Sequence, residues 1–515
     1  MNRALALDRL ADPSEPWDLL VVGGGATGLG IAVDAATRGY RTALLEQGDF
    51  AESTSSKSTK LIHGGVRYLR GGEVGLVRES LRERRRLLRN APGLVRPQAF
   101  LVPAYRWHER ILYGVGLTLY DLLGGASDPG MGRTGHLSAS AAWERIPNLA
   151  RPGLRGGTLY WDGQFDDARL AVALAKTASA HGAAAANHVR VEGLVKEGGR
   201  VRGVRAVDRI GGTEFEVRAR VVVCAAGVFT DEIRRFDAPE ADPLIVPSQG
   251  IHLVLDRDFL GGETAIMIPG TDDGRVLFAI PWKGRLLLGT TDTGGVPVAL
   301  NPRPLAEEVD YLLEHAGRFL ARAPKHCDIL SCFAGLRPLV RPRAAAAGET
   351  SKISRSHYLA TSPSGLVLIA GGKWTTYRQM AEDAVDLAAA TGGLEARACA
   401  TRDLLLVPEG SEEDPSSTED RYDPALPLTP AMLRRALEEE QAMSVDDVLS
   451  RRSRCTSLDA LASERIAPRV AAEMAALMGR DSDWIAGQVA AFARELASYR
   501  PPTSQSPSVG EPEGS

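Results

Sequence analysis

Cysteine is scarce in this chain. Cys224, Cys327, Cys332, Cys399 and Cys455 make an odd number, and no C-x-x-C pair occurs. That argues against a disulfide framework or a zinc ribbon and fits a reducing cytoplasm; no set of metal ligands is read. Long apolar runs are missing as well. The nearest approach, 111–123, is short and carries Asp121, so no membrane-spanning helix is expected. Residues 1–17 lack the apolar core of a signal peptide. Charge of one sign is also lacking: 61 basic residues stand against 65 acidic ones, for a net charge of -4. Nothing there points to nucleic acid. Lysine is rare beside arginine, so each lysine is worth asking about individually.

What the chain does have is length and an ordinary globular composition. Its 515 residues, 44% hydrophobic and 24% charged, can bury a large core and divide into several domains.

The strongest local signal comes first. A strand over 18–22 runs into Gly23-x-Gly25-x-x-Gly28, a helix continues through 31–38, and a second strand over 41–46 ends on Glu46. The first glycine makes the tight turn. The second lets a pyrophosphate approach the backbone, and the third lets helix and strand pack closely. Ala26 and Thr27 begin the helix, whose free N–H groups and partial positive charge suit phosphate. Glu46 can accept from both ribose hydroxyls and would repel a 2′-phosphate. The unit predicts a dinucleotide.

Three later features favour FAD over NAD. Ser55, Ser56 and Lys57 follow the acid, placed for phosphate and flavin. The apolar strand 220–226 ends in Ala225-Ala226-Gly227, where small residues let the cofactor come close. Gly371-Gly372-Lys373-Trp374-Thr375 is a second strand–glycine–helix junction; its helix N-terminus could face the flavin pyrimidine edge, where reduction builds negative charge.

Elsewhere, 73–90 reads as a helix whose basic face is solvated. A helix over 166–181 takes Asp166 or Asp167 as its N-cap. Strands 189–195, 201–208 and 214–217 form a meander. Strands 275–280 and 285–290 form a hairpin turning at Lys283-Gly284.

Several segments together resemble the FAD-dependent glycerol-3-phosphate dehydrogenases. They are TSSKSTKLIHGGVRYL (54–69), Tyr160-x-Asp162 with Asp166-Asp167-Ala168-Arg169-Leu170, and Ile280-Pro281-Trp282 with Gly289-Thr290-Thr291-Asp292. Gly335-Leu336-Arg337-Pro338-Leu339 and 371–377 complete the set. The likeness spans 15–390. It implies an α/β fold of the D-amino-acid-oxidase type. A discontinuous, Rossmann-like FAD domain (15–90, 155–245, 355–400) would carry a mixed β-sheet substrate domain (91–154, 246–354). A linker (405–424), a small C-terminal helical domain (425–500) and a disordered tail (501–515) would follow.

The resemblance also implies the chemistry. Such enzymes oxidise sn-glycerol 3-phosphate to dihydroxyacetone phosphate and pass electrons from reduced FAD to a quinone, or to O2 in oxidase members. His252 would be the general base, and Arg337 would stand at the substrate. Arg67, Tyr68 and Lys373 would contact the phosphate. His63 and Gly64 would pack near the flavin, with a covalent histidyl link as an alternative. A membrane quinone as partner implies peripheral attachment to the membrane from the cytoplasm, and a homodimer is allowed. Segment 106–123, with Trp107, Tyr113 and Tyr120, would touch the membrane or else be a buried helix of the substrate domain. Two departures stand out. The C-terminal helical domain looks short, and Trp374 replaces a smaller aliphatic residue.

Overall fold

The computed structural model describes residues 1–70, 72–124, 130–271, 274–341, 357–407 and 420–502. Most of the expected linker and tail lie outside these residues. So does the side chain of Arg67.

Two sheets organise the chain. The first has a parallel core, in the order Val367–Gly371, Glu214–Cys224, Trp17–Val22, Thr42–Leu45 and Ala184–Ala186, edged by the antiparallel strand His357–Thr361. Leu19, Leu20, Val21 and Val22 are all buried. Such a run, covered on both faces, is what a central parallel strand demands. The helices Ala26–Thr37 and Tyr377–Gly392 pack on one face of this sheet. Gly30 permits this, since a Cβ there would stand 2.7 Å from the Tyr377 ring.

One expectation is corrected here. The strands expected over 214–217 and 220–226 are a single strand, Glu214–Cys224. Its first half pairs antiparallel with Arg200–Asp208, and its second half enters the parallel core. No glycine or proline interrupts it. The pattern passes from alternating to fully buried without a break in the backbone.

The second sheet is mixed and holds ten strands. Its functional centre is Ile245–Asp256, flanked antiparallel by Arg285–Gly289 and Ser331–Val340. The hairpin between Leu277–Trp282 and Arg285–Gly289 turns at Lys283 and Gly284, both with positive φ (46° and 74°), as a type I′ turn requires. Leu61–Ile62 and Gly157–Phe165 also pair in this sheet, although the domain boundaries 15–90 and 155–245 assigned them to the other.

The helix Asp167–Ala180 begins on Asp166, whose carboxylate accepts from the Arg169 N–H. The helix Val74–Asn90 is not simply solvated on its charged face. Glu83 and Arg84 are buried, paired with Arg378 and Asp162 at 2.6 Å each. Its arginine-rich sequence could not show which charges have partners elsewhere in the fold.

The C-terminal helices, from Pro430–Glu439 to Ser482–Leu496, are pinned to the rest by buried ion pairs. Arg169 grips Glu440 with two bonds of 2.7 Å. Arg452 donates to both oxygens of Asp49 at 2.6 and 2.8 Å, and Arg451 reaches Asp49 and Asp447. Asp49, His188 and Asp447 lie close enough together to suggest a metal. The two guanidiniums already balance those carboxylates, so the cluster is a structural ion network.

Candidate active site

A continuous cavity runs along the C-terminal ends of the first sheet's parallel strands and under the second sheet. It is lined by Gly23, Gly25, Ala26, Thr27 and Glu46, by Ala226 and Gly227, and by 371–375; from the second sheet come Gly250, His252, Gly335 and Arg337. Position outside the strand ends is where an open α/β sheet offers its binding crevice.

At one end the geometry is set by missing side chains. Gly23 has φ +110°, and a Cβ on it would stand 2.6 Å from the Ala225 carbonyl oxygen. Gly28 does not line the cavity. Its place is against the Gly23 carbonyl, where any Cβ would collide, so its role is packing. The helix Ala26–Thr37 has Gly25 as its N-cap, with no side-chain cap from that residue. Ser55 Oγ takes the Ala26 N–H at 2.9 Å. Glu46 accepts from the Gly24 and Gly48 N–H groups. Burial raises its carboxyl to about 7; these two bonds oppose the rise, and Glu52 and Asp49 add to it.

Ser56 differs from the expectation that it faces the cofactor, and Lys57 lines the cavity without aiming its ammonium there. Ser56 is buried, its hydroxyl 3.4 Å from the Glu52 carbonyl. The Lys57 ammonium turns away to donate to the Tyr499 hydroxyl and lies 3.9 Å over that ring. Burial lowers Lys57 to about 7. In the short 3-10 turn Thr54–Ser56 successive side chains point about 120° apart, so Ser55 Oγ meets the Ala26 N–H while Ser56 is buried.

At the second junction Gly371 and Gly372 have φ +76° and +75°, a reversal that L side chains resist. Thr375 and His63 clamp each other: the His63 N–H donates to Thr375 Oγ1, which donates to the His63 carbonyl, both at 3.2 Å. Gly64 is buried behind them, its N–H bonded to the Tyr120 hydroxyl at 2.6 Å. The Trp374 indole N–H donates to the Ser55 carbonyl at 2.9 Å and so ties the two junctions together. The bulkier residue thus has a partner that an aliphatic one would lack.

The polar groups converge where the sheets meet. The Lys373 ammonium lies 3.9 Å over the Tyr68 ring. Arg337 donates to the Gln249 and Thr291 carbonyls at 3.2 and 2.9 Å and to Thr290 Oγ1 at 3.2 Å, with Asp292 at 3.5 Å. Gly250 opposite leaves room for that fork, since a Cβ would stand 2.6 Å from Thr290 Oγ1. His252 lies in register with Gly289 and Phe333, its ring stacked on Phe333 at 5.0 Å. Burial holds its imidazole well below the ordinary range, helped by the Lys60 and Arg337 charges. It is therefore neutral at pH 7 and can accept a proton.

Sequence reasoning passed over Thr59, which lines the cavity and stands 2.9 Å from His252 Nε2. It also passed over Thr290, Thr291 and Asp292 as the holders of Arg337. The hydroxyl-rich run flagged the neighbourhood of Thr59, but only the packing of that loop against the strand Ile245–Asp256 brings it to His252.

The arrangement fits a long, two-ended cofactor with a small anionic substrate. Comparison with known proteins agrees. The family described as FAD dependent oxidoreductase matches residues 18–378, and the C-terminal domain of alpha-glycerophosphate oxidase matches 401–484. The chain is 43% identical over 411 residues to the mitochondrial glycerol-3-phosphate dehydrogenase of Arabidopsis thaliana, covering 77% of this chain and 64% of that one. It is 42% identical over 421 residues to the human mitochondrial protein, covering 79% and 57%. The chain thus spans less than two thirds of either relative's length. A solved glycerol-3-phosphate dehydrogenase from Bacillus halodurans, complexed with FAD, superposes with a TM-score of 0.78 at 28% identity, covering 98% of this chain and 99% of that one.

Proposed function

Since this chain belongs to the FAD-dependent oxidoreductases, we propose that it oxidises sn-glycerol 3-phosphate to dihydroxyacetone phosphate and passes the electrons to a membrane quinone. The observation that carries this reading is the meeting of Arg337, Lys373 and the neutral His252 with the dinucleotide turn in one cavity.

FAD is the cofactor. Gly23, Gly25 and the first N–H groups of the helix Ala26–Thr37 would hold its pyrophosphate, Glu46 its ribose, and Ala226, Gly227 and 371–375 its flavin end. Bound there, FAD supplies the hydride acceptor. The protein's own groups do the rest. Lys373 and Arg337 are cations placed for a phosphate dianion, and pre-set donors of this kind cost no reorganisation when it arrives. His252 supplies a base for the hydroxyl proton.

The helix Trp107–Gly124 supports the choice of acceptor. Gly114, Leu117, Tyr120 and Gly124 face the protein. Trp107, Ile111, Leu112, Val115, Leu119 and Leu122 are exposed, Leu122 by 73%. Tyr120, expected as a membrane contact, is instead buried and bonded to Asp162 at 2.9 Å. No helix among the described residues is long and apolar enough to cross a membrane. A helix half packed and half bare suits one that lies on a bilayer, where a quinone is dissolved. The test is anaerobic bleaching of the flavin by glycerol 3-phosphate, followed by reoxidation with quinone or O2. No bleaching refutes the activity. Rapid peroxide formation without quinone reduction supports an oxidase instead.

A further inference from the structure

His252 lines the cavity but is almost wholly covered. It is 2% exposed, with one face covered by Phe333. Its Nδ1 is buried and has no hydrogen-bond partner among the described residues. Its Nε2 is taken up by Thr59 Oγ1 at 2.9 Å. Thr59 itself is half-buried and lines the cavity. A hydroxyl that lines the cavity thus occupies the one ring nitrogen that would receive the substrate's proton.

The residues on both sides of Thr59 are held. Ser58 donates to Asp167 Oδ2 through its N–H (3.1 Å) and its hydroxyl (2.7 Å). On the other side Lys60, with φ +61°, donates to the same oxygen at 2.6 Å and to the Ser56 carbonyl at 2.7 Å. Arg454, from the C-terminal helices, reaches the second oxygen of Asp167 at 3.1 Å. Asp167 is fully buried and accepts from donors on two other segments, 58–60 and Arg454. A turn clamped at both neighbours leaves Thr59 little freedom to point elsewhere. Such a clamp fixes beforehand the orientation of a group that moves a proton.

We propose that Thr59 is a second catalytic residue, the relay by which the substrate's hydroxyl proton reaches His252, with Asp167 as its positioning residue. The proposal rests on the oxidation assigned above. The substrate O–H bond breaks and its proton joins Thr59 Oγ. The proton already on Oγ passes to His252 Nε2, and the carbon gives up its hydride to the flavin as that oxidation requires. His252 ends as an imidazolium and Thr59 is unchanged. After the ketone leaves, the proton passes back through Thr59 to water entering the cavity. Burial, with the Lys60 and Arg337 charges, favours that return, because each disfavours a charged ring.

The test uses the FAD-loaded, full-length protein. Thr59→Val removes the hydroxyl and keeps the shape; Thr59→Ser restores it; His252→Gln removes the base. Flavin reduction by glycerol 3-phosphate is followed anaerobically in a single turnover, with flavin content and substrate affinity measured beside it. Thr59→Val is expected to slow reduction by roughly 10²–10⁴-fold with flavin content and substrate affinity near wild type, and Thr59→Ser to recover most of the rate. A wild-type rate in Thr59→Val with a slow His252→Gln overturns the relay and leaves the base. Wild-type rates in both overturn the base as well. A Thr59→Ser protein as slow as Thr59→Val overturns the relay by showing that packing is what was lost. If the wild-type flavin itself does not bleach, the assigned oxidation has failed, not the relay alone.

Discussion

Replacing Arg337 by alanine tests the placement of the substrate most directly. The guanidinium is fixed before any ligand arrives, through the Gln249 and Thr291 carbonyls, Thr290 and the nearby Asp292. A charge-assisted hydrogen bond from such a pre-set fork to an anionic substrate contributes about 1.5–3 kcal/mol, or roughly 10- to 150-fold in kcat/KM. Its side chain is 22% exposed, so water can reach the carbonyls it leaves behind. Stability should therefore fall by no more than about 1 kcal/mol. Flavin content should stay near wild type, because the Gly23–Gly28 turn and Glu46 do not touch Arg337. Arg337→Lys should recover only part of the loss, since an ammonium keeps the charge but not the planar fork. Steady-state kinetics with an artificial acceptor, together with flavin absorbance, decide it. Normal kcat/KM in Arg337→Ala, or a protein that loses its flavin, would show that Arg337 is a structural tie and that the substrate lies elsewhere.

Other predictions concern the cofactor, the C-terminal helices and the membrane. Gly28→Ala should abolish FAD retention, because its Cβ would collide with the Gly23 carbonyl; a yellow variant would contradict that. Burial works to raise Glu440, but Arg169, with Arg452 and Arg435, draws it down to about 2. A depressed carboxyl stabilises the fold above its unfolded value near 4.5 and ceases to do so as pH falls toward 2, so about 3 kcal/mol should be lost across that window. Arg169→Met should cost about 3–5 kcal/mol at pH 7 by stranding a buried carboxylate, and urea midpoints measured against pH should show a weaker acid dependence than wild type. Leu112→Glu combined with Val115→Glu should abolish sedimentation with lipid vesicles while preserving turnover with a soluble acceptor; unchanged vesicle binding would free that helix of the role.

The sequence by itself determined the dinucleotide unit. The order of strand, three glycines, helix and acid is local, and each residue type answers a constraint within a few residues of itself. The second glycine junction was legible for the same reason, as were the Lys283-Gly284 hairpin and the Asp166 cap. Resemblance then singled out Arg337, His252 and Lys373. Only the tertiary structure decided what those residues touch. It bonded the Lys57 ammonium to Tyr499, which lies 442 positions away in the chain. It joined two expected strands into Glu214–Cys224, showed Glu83 and Arg84 to be buried partners of Arg378 and Asp162, and bared one face of the helix Trp107–Gly124 while burying Tyr120. Above all it brought the Thr59 hydroxyl to His252 Nε2, 2.9 Å away. Side-chain direction, burial and ion pairing depend on strand register and on which distant segments pack together, and those long-range contacts leave no periodic trace in the sequence around either residue.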